Sequence, residues 1–298
     1  MRVTESSIAS SFLYNINETN ERITQEQTEL ATGKAVNKVS DNPQATGTIL
    51  QLKSLISNNT QYQQNTTEAQ SQAQATESAL SSFTNIMISL KGILAQATNG
   101  TLSSEDQQTY ADQVDQLLGQ GVDLANTQSN GVYIFGGTNT LQQPFTLAAD
   151  DSSVTANPNG ITGSIQVPVN EGINQTVNID GQQAFQGTAI FNLMIQVRDA
   201  LQSGQSPTTA QATSVDTYID DVANATGKAG AIMQNLTANS TMLSNQQTQL
   251  QQLLSVQQDS DVAAVTLKMN QDQLDLQAAL SSGASVLPAT LLNFLGKT

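Results

Sequence analysis

Two long stretches of the sequence carry apolar side chains at alternating steps of three and four residues, which is the seam of a coiled coil or slender helical bundle. The first stretch is predicted to run from Pro43 to about Thr98, and the second holds its register from Val215 to Leu254. Because sequence-distant segments with matched seams pair well in antiparallel orientation, the pattern predicts an elongated antiparallel helical rod. The seam of the first stretch weakens in the middle, where Asn59, Gln63 and Thr66 fall on it. Its apolar positions are Ala45, Ile49, Leu52, Ile56, Ala73, Leu80, Phe83, Met87, Leu90, Leu94 and Ala97.

Each end of the chain carries a further amphipathic stripe at helical spacing. The N-terminal stripe contains Ile8, Phe12, Ile16, Ile23 and Leu30, and the C-terminal one contains Val262, Val265, Met269, Leu276, Leu280, Leu287, Leu291 and Phe294. Disorder is common at chain ends, so an apolar stripe there needs a partner. The partner is the other terminus, another subunit or both. Pro288 is expected to kink or end the last helix.

Short breaks separate these terminal helices from the long ones. Residues 32–43 mix Gly, Asn, Ser and Pro, with Asp41 or Asn42 placed to cap the helix that begins at Pro43. The second break is at residues 259–261, where Asp259 or Asp261 is expected to cap the last helix.

The middle of the chain has a different pattern. A capping sequence at Ser103 predicts a third helix that ends near Asn126, and residues 130–138 predict a turn followed by a strand. Residues 140–188 are richer in Pro, Gly and Asp, with short alternating runs, and predict a small β-rich insert. Asp180 with Gly181 is interpreted as one more turn.

The chain is therefore predicted to be mainly α-helical, an antiparallel bundle or coiled-coil rod with terminal helices and a small central β-rich insert. Five segments are expected. They are the N-terminal helix and connector at 1–42, the first half of the rod with a hairpin at 43–139, the insert at 140–188, the second half of the rod at 189–258, and the C-terminal helix at 259–298.

Composition narrows the function classes. The chain has no His and no Cys, which removes the common acid–base, nucleophilic and zinc sites, and we expect no enzyme, no cofactor and no metal. The net charge is −15, and the ten basic residues are spread singly, so neither nucleic acid nor an anionic membrane surface is an expected partner. Only 4% of the residues are aromatic, which favours a thin core. No apolar run suggests a cleavable signal peptide or a membrane span.

Several motifs, in order along the chain, resemble the flagellin superfamily and, within it, the proteins of the hook–filament junction. Residues 20–23 and 30–43 read NERI and LATGKAVNKVSDNP, similar to the N-terminal signature of the superfamily. Residues 130–138 read NGVYIFGGT, and residues 259–280 and 291–295 resemble its C-terminal signature. The departures are Ala35 in place of the common Arg, Asn42 in place of an Asp, and Pro288.

The resemblance implies a structural role in the bacterial flagellum, joining the hook-side junction protein to the flagellin filament. The terminal helices would be disordered in the exported monomer and would pair on assembly into a ring of subunits, with the long helices as a middle layer and the insert outermost. Export would be by the flagellar type III apparatus, without a cleavable signal peptide, to an extracellular location. An export chaperone would hold the C-terminal helix.

Three alternatives remain at this point. A filament-forming flagellin is a near relative, although the YIFGG stretch and the small insert favour a junction protein. A cytoplasmic coiled-coil signalling scaffold shares the Ala-, Gln- and Ser-rich composition, but not the spaced Gly and Pro breaks. A secreted enzyme is the weakest alternative because His and Cys are absent.

Overall fold

The computed structural model describes residues 5–98 and 102–286, and within them helices dominate. The elements are α1 Glu5–Thr32, α2 Pro43–Ala97, α3 Ser104–Ala125, β1 Gln128–Ser129, β2 Val132–Tyr133, β3 Phe145–Leu147, β4 Val154–Ala156, β5 Gln166–Asn170, β6 Ile173–Thr176, α4 Gly181–Phe185, α5 Ala189–Gln202, α6 Thr209–Gln258 and α7 Val262–Val286. The predicted fold class, mainly α-helical with a small β-rich insert in the middle, is confirmed.

Most predicted helix boundaries agree with the structure, because local signals set them. Ser103 caps α3 through a reciprocal capping box with Asp106. The prediction of a turn at Asp180 and Gly181 is wrong. Asp180 is instead the N-cap of α4, and its carboxylate accepts the backbone N–H of Gln183 and of Gly163 at 2.8 and 3.0 Å. One N–H group lies three residues after Asp180 and the other lies 17 residues before it. The local sequence around Asp180 does not reveal the second bond.

The described residues form two compact units. Unit 1 takes in the described residues up to Asn58 and from Gln247 onward, and unit 2 runs from Asn59 to Gln246. Helices α2 and α6 therefore contribute residues to both units. The five-segment division made from the sequence stays a prediction.

The core of unit 2 contains a cluster of phenylalanines, although the composition had favoured a thin core. Five of the seven phenylalanines pack together, with ring centroids 4.8 to 5.9 Å apart. They are Phe83, Phe135, Phe145, Phe185 and Phe191. The few aromatic residues are concentrated where α2, α5 and the insert meet. A low overall aromatic content is therefore compatible with an aromatic core at one place in the chain.

The polar part of the α2 seam is used for hydrogen bonds between α2 and α6. The amide of Asn59 donates to the backbone carbonyl of Leu243 at 2.9 Å, and that of Asn239 donates to Thr66 Oγ1 at 3.2 Å and to the carbonyl of Val169 at 3.0 Å. Buried polar pairs of this kind fix register, since any slip of the two helices leaves them unsatisfied.

The strands of the described residues form separate pairs and not one sheet, with β1–β2 before the insert and the other two pairs within it. Strands β1–β2, β3–β4 and β5–β6 are each a two-stranded antiparallel pair. Strand β2 ends at Tyr133, and the next two residues of the predicted strand, Ile134 and Phe135, turn into the core of unit 2. Val169 on β5 and Val177, directly after β6, pack in one cluster with Ala69 on α2.

A buried guanidinium ties the insert to the helices of unit 2. Arg198 on α5 donates to Asp115 on α3 at 2.8 Å and to the backbone carbonyl of Asp151 at 2.7 Å. It also pairs with Asp199 at 2.9 Å. A charge with only 7% of its side chain exposed is tolerated because its donors are satisfied.

Candidate assembly surface in the terminal helices

In unit 1, the two terminal helices α1 and α7 pack antiparallel along their length. Arg22 meets Asp272, and Phe12 meets Gly283, so residue numbers that rise on one helix fall on the other. The sequence left the partner of each terminal stripe open between the other terminus and another subunit. Within the chain, the structure pairs each stripe with the other.

The predicted stripe residues supply much of this contact. Ile23 and Val265 are buried at 8% exposure each. Phe12, Ile16, Leu30, Met269 and Leu276 are half-buried. Val262 and Leu280 differ, since 54% and 51% of their surface is exposed. The side chain of Ile8 and all of Leu287, Leu291, Phe294 and Pro288 lie outside what the structure describes.

Gly283 allows the closest approach between the two helices. A Cβ added there would lie 2.1 Å from Cζ of Phe12, well inside the distance at which carbon atoms repel. The absence of a side chain lets the Phe12 ring lie against the α7 backbone. Periodicity alone does not identify Gly283 as a contact residue, because glycine adds nothing to an apolar stripe.

We expect Gly283→Ala to loosen the α1–α7 pair by about 1–3 kcal/mol, the usual effect of overpacking a fitted contact. Gly47→Ala is the matched control. It lies in a helix of the same unit, where a new Cβ meets nothing within 4 Å, and should gain about 1 kcal/mol of helix propensity. Amide hydrogen exchange of α1 and α7 measures the effect of Gly283→Ala, and exchange of α2 measures that of Gly47→Ala. Unchanged exchange in Gly283→Ala contradicts the expectation.

The two breaks that flank the terminal helices are hydrogen-bonded to each other. The N–H of Ala35 donates to the carbonyl of Gln258 at 2.8 Å, and the N–H of Ser260 donates to the carbonyl of Gly33 at 3.0 Å. Gly33 has φ of +69°, a conformation that glycine adopts without strain. The connectors thus form a short antiparallel bridge that joins the bases of α1 and α7.

Caps on both sides of the bridge set where the adjoining helices begin. Asn42 Oδ1 accepts the N–H of Ala45 at 3.0 Å, which selects Asn42 as the cap of α2. Asp41 instead accepts the N–H groups of Lys38 and Asn37, and these bonds lower the pKa of its carboxyl. At the second break Asp261 caps α7, accepting the N–H of Ala263 at 3.0 Å and so confirming one of the two predicted caps.

The described part of unit 1 exposes a large share of its apolar side chains. It contains eleven exposed large hydrophobic residues, whereas the larger unit 2 contains four. The eleven are Leu13, Tyr14, Val39, Leu50, Leu55, Leu253, Val256, Val262, Leu267, Leu274 and Leu280. Exposed large apolar side chains are therefore more numerous in the described part of unit 1 than in the larger unit 2.

Sequence reasoning missed the most exposed of these residues on α7. Leu267 and Leu274 are 71% and 65% exposed, and they lie seven residues apart on one side of the helix. Their spacing is itself a heptad signal, separate from the stripe through Val265, Met269 and Leu276. The helix therefore has a second apolar side besides the one that packs on α1.

Two negative findings apply to the described residues. Within residues 5–98 and 102–286, the helices lack a stretch with the length and hydropathy of a membrane span. In the same part of the chain, no group of three or more acidic side chains is placed to hold a metal ion.

Comparison with known proteins finds similarity to proteins of the bacterial flagellum. Residues 3–140 match the bacterial flagellin N-terminal helical region. Flagellin of Listeria monocytogenes is 25% identical over 284 residues, which cover 93% of each chain. Flagellar hook-associated protein 3 of Escherichia coli is 36% identical over 118 residues, which cover 39% of this chain and 37% of that protein.

Solved structures share the fold. A hook-associated protein from Vibrio parahaemolyticus superposes with a TM-score of 0.65 at 19% identity, and covers 73% of this chain and 99% of its own. FlgL of Bacillus cereus gives a TM-score of 0.58 at 22% identity, with 69% and 99% covered.

Residues 3–140 are thus similar to the N-terminal helical region of bacterial flagellins, and the chain resembles both flagellins and flagellar hook-associated protein 3. The matches to flagellar hook-associated protein 3 of Escherichia coli and of Salmonella typhimurium, at 36% and 35% identity, are higher in identity than the flagellin match but span about two fifths of the chain.

Proposed function

We propose that this chain joins the hook side of the flagellum to the flagellin filament, and that it does so by self-assembly through its terminal helices into a ring of subunits. The observation that carries the proposal is the large number of exposed apolar side chains in the unit that holds α1 and α7. Burying a Leu or Val side chain contributes about 1.5–3 kcal/mol. A neighbouring subunit that covers the second apolar side of α7 would therefore gain binding free energy from burying Leu267 and Leu274 alone.

The partners in this proposal are further copies of the chain, the hook-side junction protein and flagellin. The work of the protein is structural and involves no enzymatic step, cofactor or metal. The interface consists of the stripe residues predicted from the sequence together with the exposed residues of α7. An export chaperone bound to the C-terminal helix would cover the same apolar side chains before assembly, and the protein would leave the cell by flagellar type III export.

A filament-forming flagellin is the second candidate, and one observation supports it. The match to Listeria flagellin extends over almost the whole chain, whereas the match to hook-associated protein 3 is higher in identity but shorter. We favour the junction role because the match to hook-associated protein 3 has the higher identity. Immunogold labelling of isolated flagella separates the two, since a junction protein labels one point beside the hook and a flagellin labels the filament. Long filaments grown from the purified chain alone would support flagellin.

Truncation before Asp261 tests the role of α7. The shortened chain should lose chaperone binding and junction assembly, because α7 and its apolar sides are removed. Unit 2 should keep its fold, since it ends at Gln246 and contains no residue of α7. Circular dichroism and motility of a complemented deletion strain measure the two effects. Loss of all helical signal on truncation contradicts the expectation, as does normal motility.

A further inference from the structure

A carboxyl group is buried inside the α1–α7 pair. Glu26 on α1 is only 8% exposed, and its Oε2 atom has no hydrogen-bond partner within the described residues. Carboxylates are seldom buried to this degree without a partner, because the charge loses its hydration. Periodicity alone does not draw attention to Glu26, since a helix of this kind carries many acidic residues.

The cations near Glu26 do not neutralise it. Arg22 on the same helix is engaged by Asp272, with its Nε 2.9 Å and its Nη2 3.3 Å from the two carboxylate oxygens. Lys268 on α7 is near enough to act on Glu26 electrostatically but forms no ion pair with it within 4.0 Å in the described structure. The remaining charge nearby is Glu29 on α1. The group around Glu26 thus holds more acidic than basic charge.

We infer that Glu26 makes the pairing of α1 with α7 sensitive to pH, such that protonation of its carboxyl holds the pair together and ionisation loosens it. The role that this pH sensitivity would have in assembly rests on the proposed function. A pair that is weakened near neutral pH leaves both terminal helices free to exchange their mutual contact for contacts with neighbouring subunits. The contact itself is a property of the single chain.

The direction follows from the environment of the carboxyl. Burial, then the charge of Asp272, raise the pKa of Glu26 above its ordinary value of 4.5, and Lys268 only partly opposes them. A paired helix therefore binds the proton more tightly than an unpaired one. The stabilisation is complete below the ordinary pKa and is lost as pH rises through the raised pKa of the paired state. Asp41 has a lowered pKa, so its ionised form stabilises the fold of the connector. That contribution is lost only as pH falls below its ordinary value of 3.8.

Amide hydrogen exchange of the full chain between pH 5 and pH 7 tests the inference, with protection factors corrected for the intrinsic pH dependence of exchange. In the wild type, opening of α1 and α7 should increase with pH by at most about tenfold per pH unit, the limit for one proton. Glu26→Gln keeps the shape of the side chain and removes the titration. It should raise protection at pH 7 to the wild-type level at pH 5 and remove the pH dependence.

Glu21→Gln is the matched control, since it removes the same charge from an exposed position on the same helix. It should behave as the wild type at both pH values. The inference is overturned if Glu26→Gln and Glu21→Gln exchange alike, if protection in the wild type rises with pH, or if α1 is unprotected in every variant at pH 5. Motility of the Glu26→Gln strain reports the junction role separately, because exchange in the monomer needs no assembly.

Discussion

Ile23→Asp is expected to abolish junction assembly while the main unfolding transition of the isolated chain stays where it is. Ile23 is buried in the contact between α1 and α7, so the substitution places an unpaired carboxylate among apolar side chains. An uncompensated buried charge costs about 3–5 kcal/mol. The α1–α7 pair has few other fully buried apolar residues and should open, as should any assembled form in which this stripe stays covered.

The main transition should be unchanged because Ile23 belongs to unit 1 and most of the core lies in unit 2. Thermal unfolding followed by circular dichroism reports unit 2, and amide exchange of α1 reports the pair. Motility of a complemented deletion strain, with gold labelling at the hook, reports assembly.

Gln27→Asp is the control for Ile23→Asp, because it adds the same charge one turn further along α1 at an exposed position. We expect it to leave exchange of α1 close to that of the wild type. A large fall in the main melting temperature with Ile23→Asp would mean that the terminal pair and unit 2 unfold together. Normal assembly of that variant would contradict the role assigned to the stripe.

Phe83→Ala should destabilise unit 2 by about 3–5 kcal/mol, the usual range for deleting a buried aromatic ring. The ring of Phe83 is fully buried, and its centroid lies 4.9 Å from that of Phe185 and 5.9 Å from that of Phe191. It also lies against Gly121 on α3, where a Cβ would come within 3.1 Å of Cε2 of Phe83. Its removal leaves a cavity bounded by three elements that are fixed by other contacts, so little collapse is expected.

Urea unfolding of the purified chain measures the loss for Phe83→Ala as a lower midpoint with an unchanged slope. Ile88→Ala is the matched control, since Ile88 lies on the same helix but is 53% exposed. It should change the free energy of unfolding by less than about 1 kcal/mol. Equal effects of the two substitutions would show that the phenylalanine cluster is not the centre of the core.

The two predictions affect different parts of the molecule, and together they separate stability from assembly. Phe83→Ala should lower stability, while the exposed apolar side chains of unit 1 remain available. Ile23→Asp should leave the stability of unit 2 unchanged and abolish assembly. A chain in which both variants lose stability and assembly together would be one cooperative body, contrary to its division into two units.

Local chemistry allowed much of this structure to be predicted from the sequence. The helical period of the apolar residues indicated the long helices, and short polar signals at Ser103, Asn42 and Asp261 fixed where three of them begin. Each such signal acts over a few residues, because capping groups bond to N–H groups two or three positions away. The same signals located the two breaks, and helical periodicity alone indicated the terminal stripes.

Contacts between residues far apart in sequence were decided only by the tertiary structure. The bridge between Gly33 and Ser260, the bond from Asn59 to Leu243 and the fit of Phe12 on Gly283 each join residues from opposite halves of the chain. The burial of Glu26 is of the same kind, since its exposure depends on how α7 lies against α1. Such contacts form only after the helices have packed, so no local pattern of residues specifies them, whereas periodicity and capping are complete within each helix.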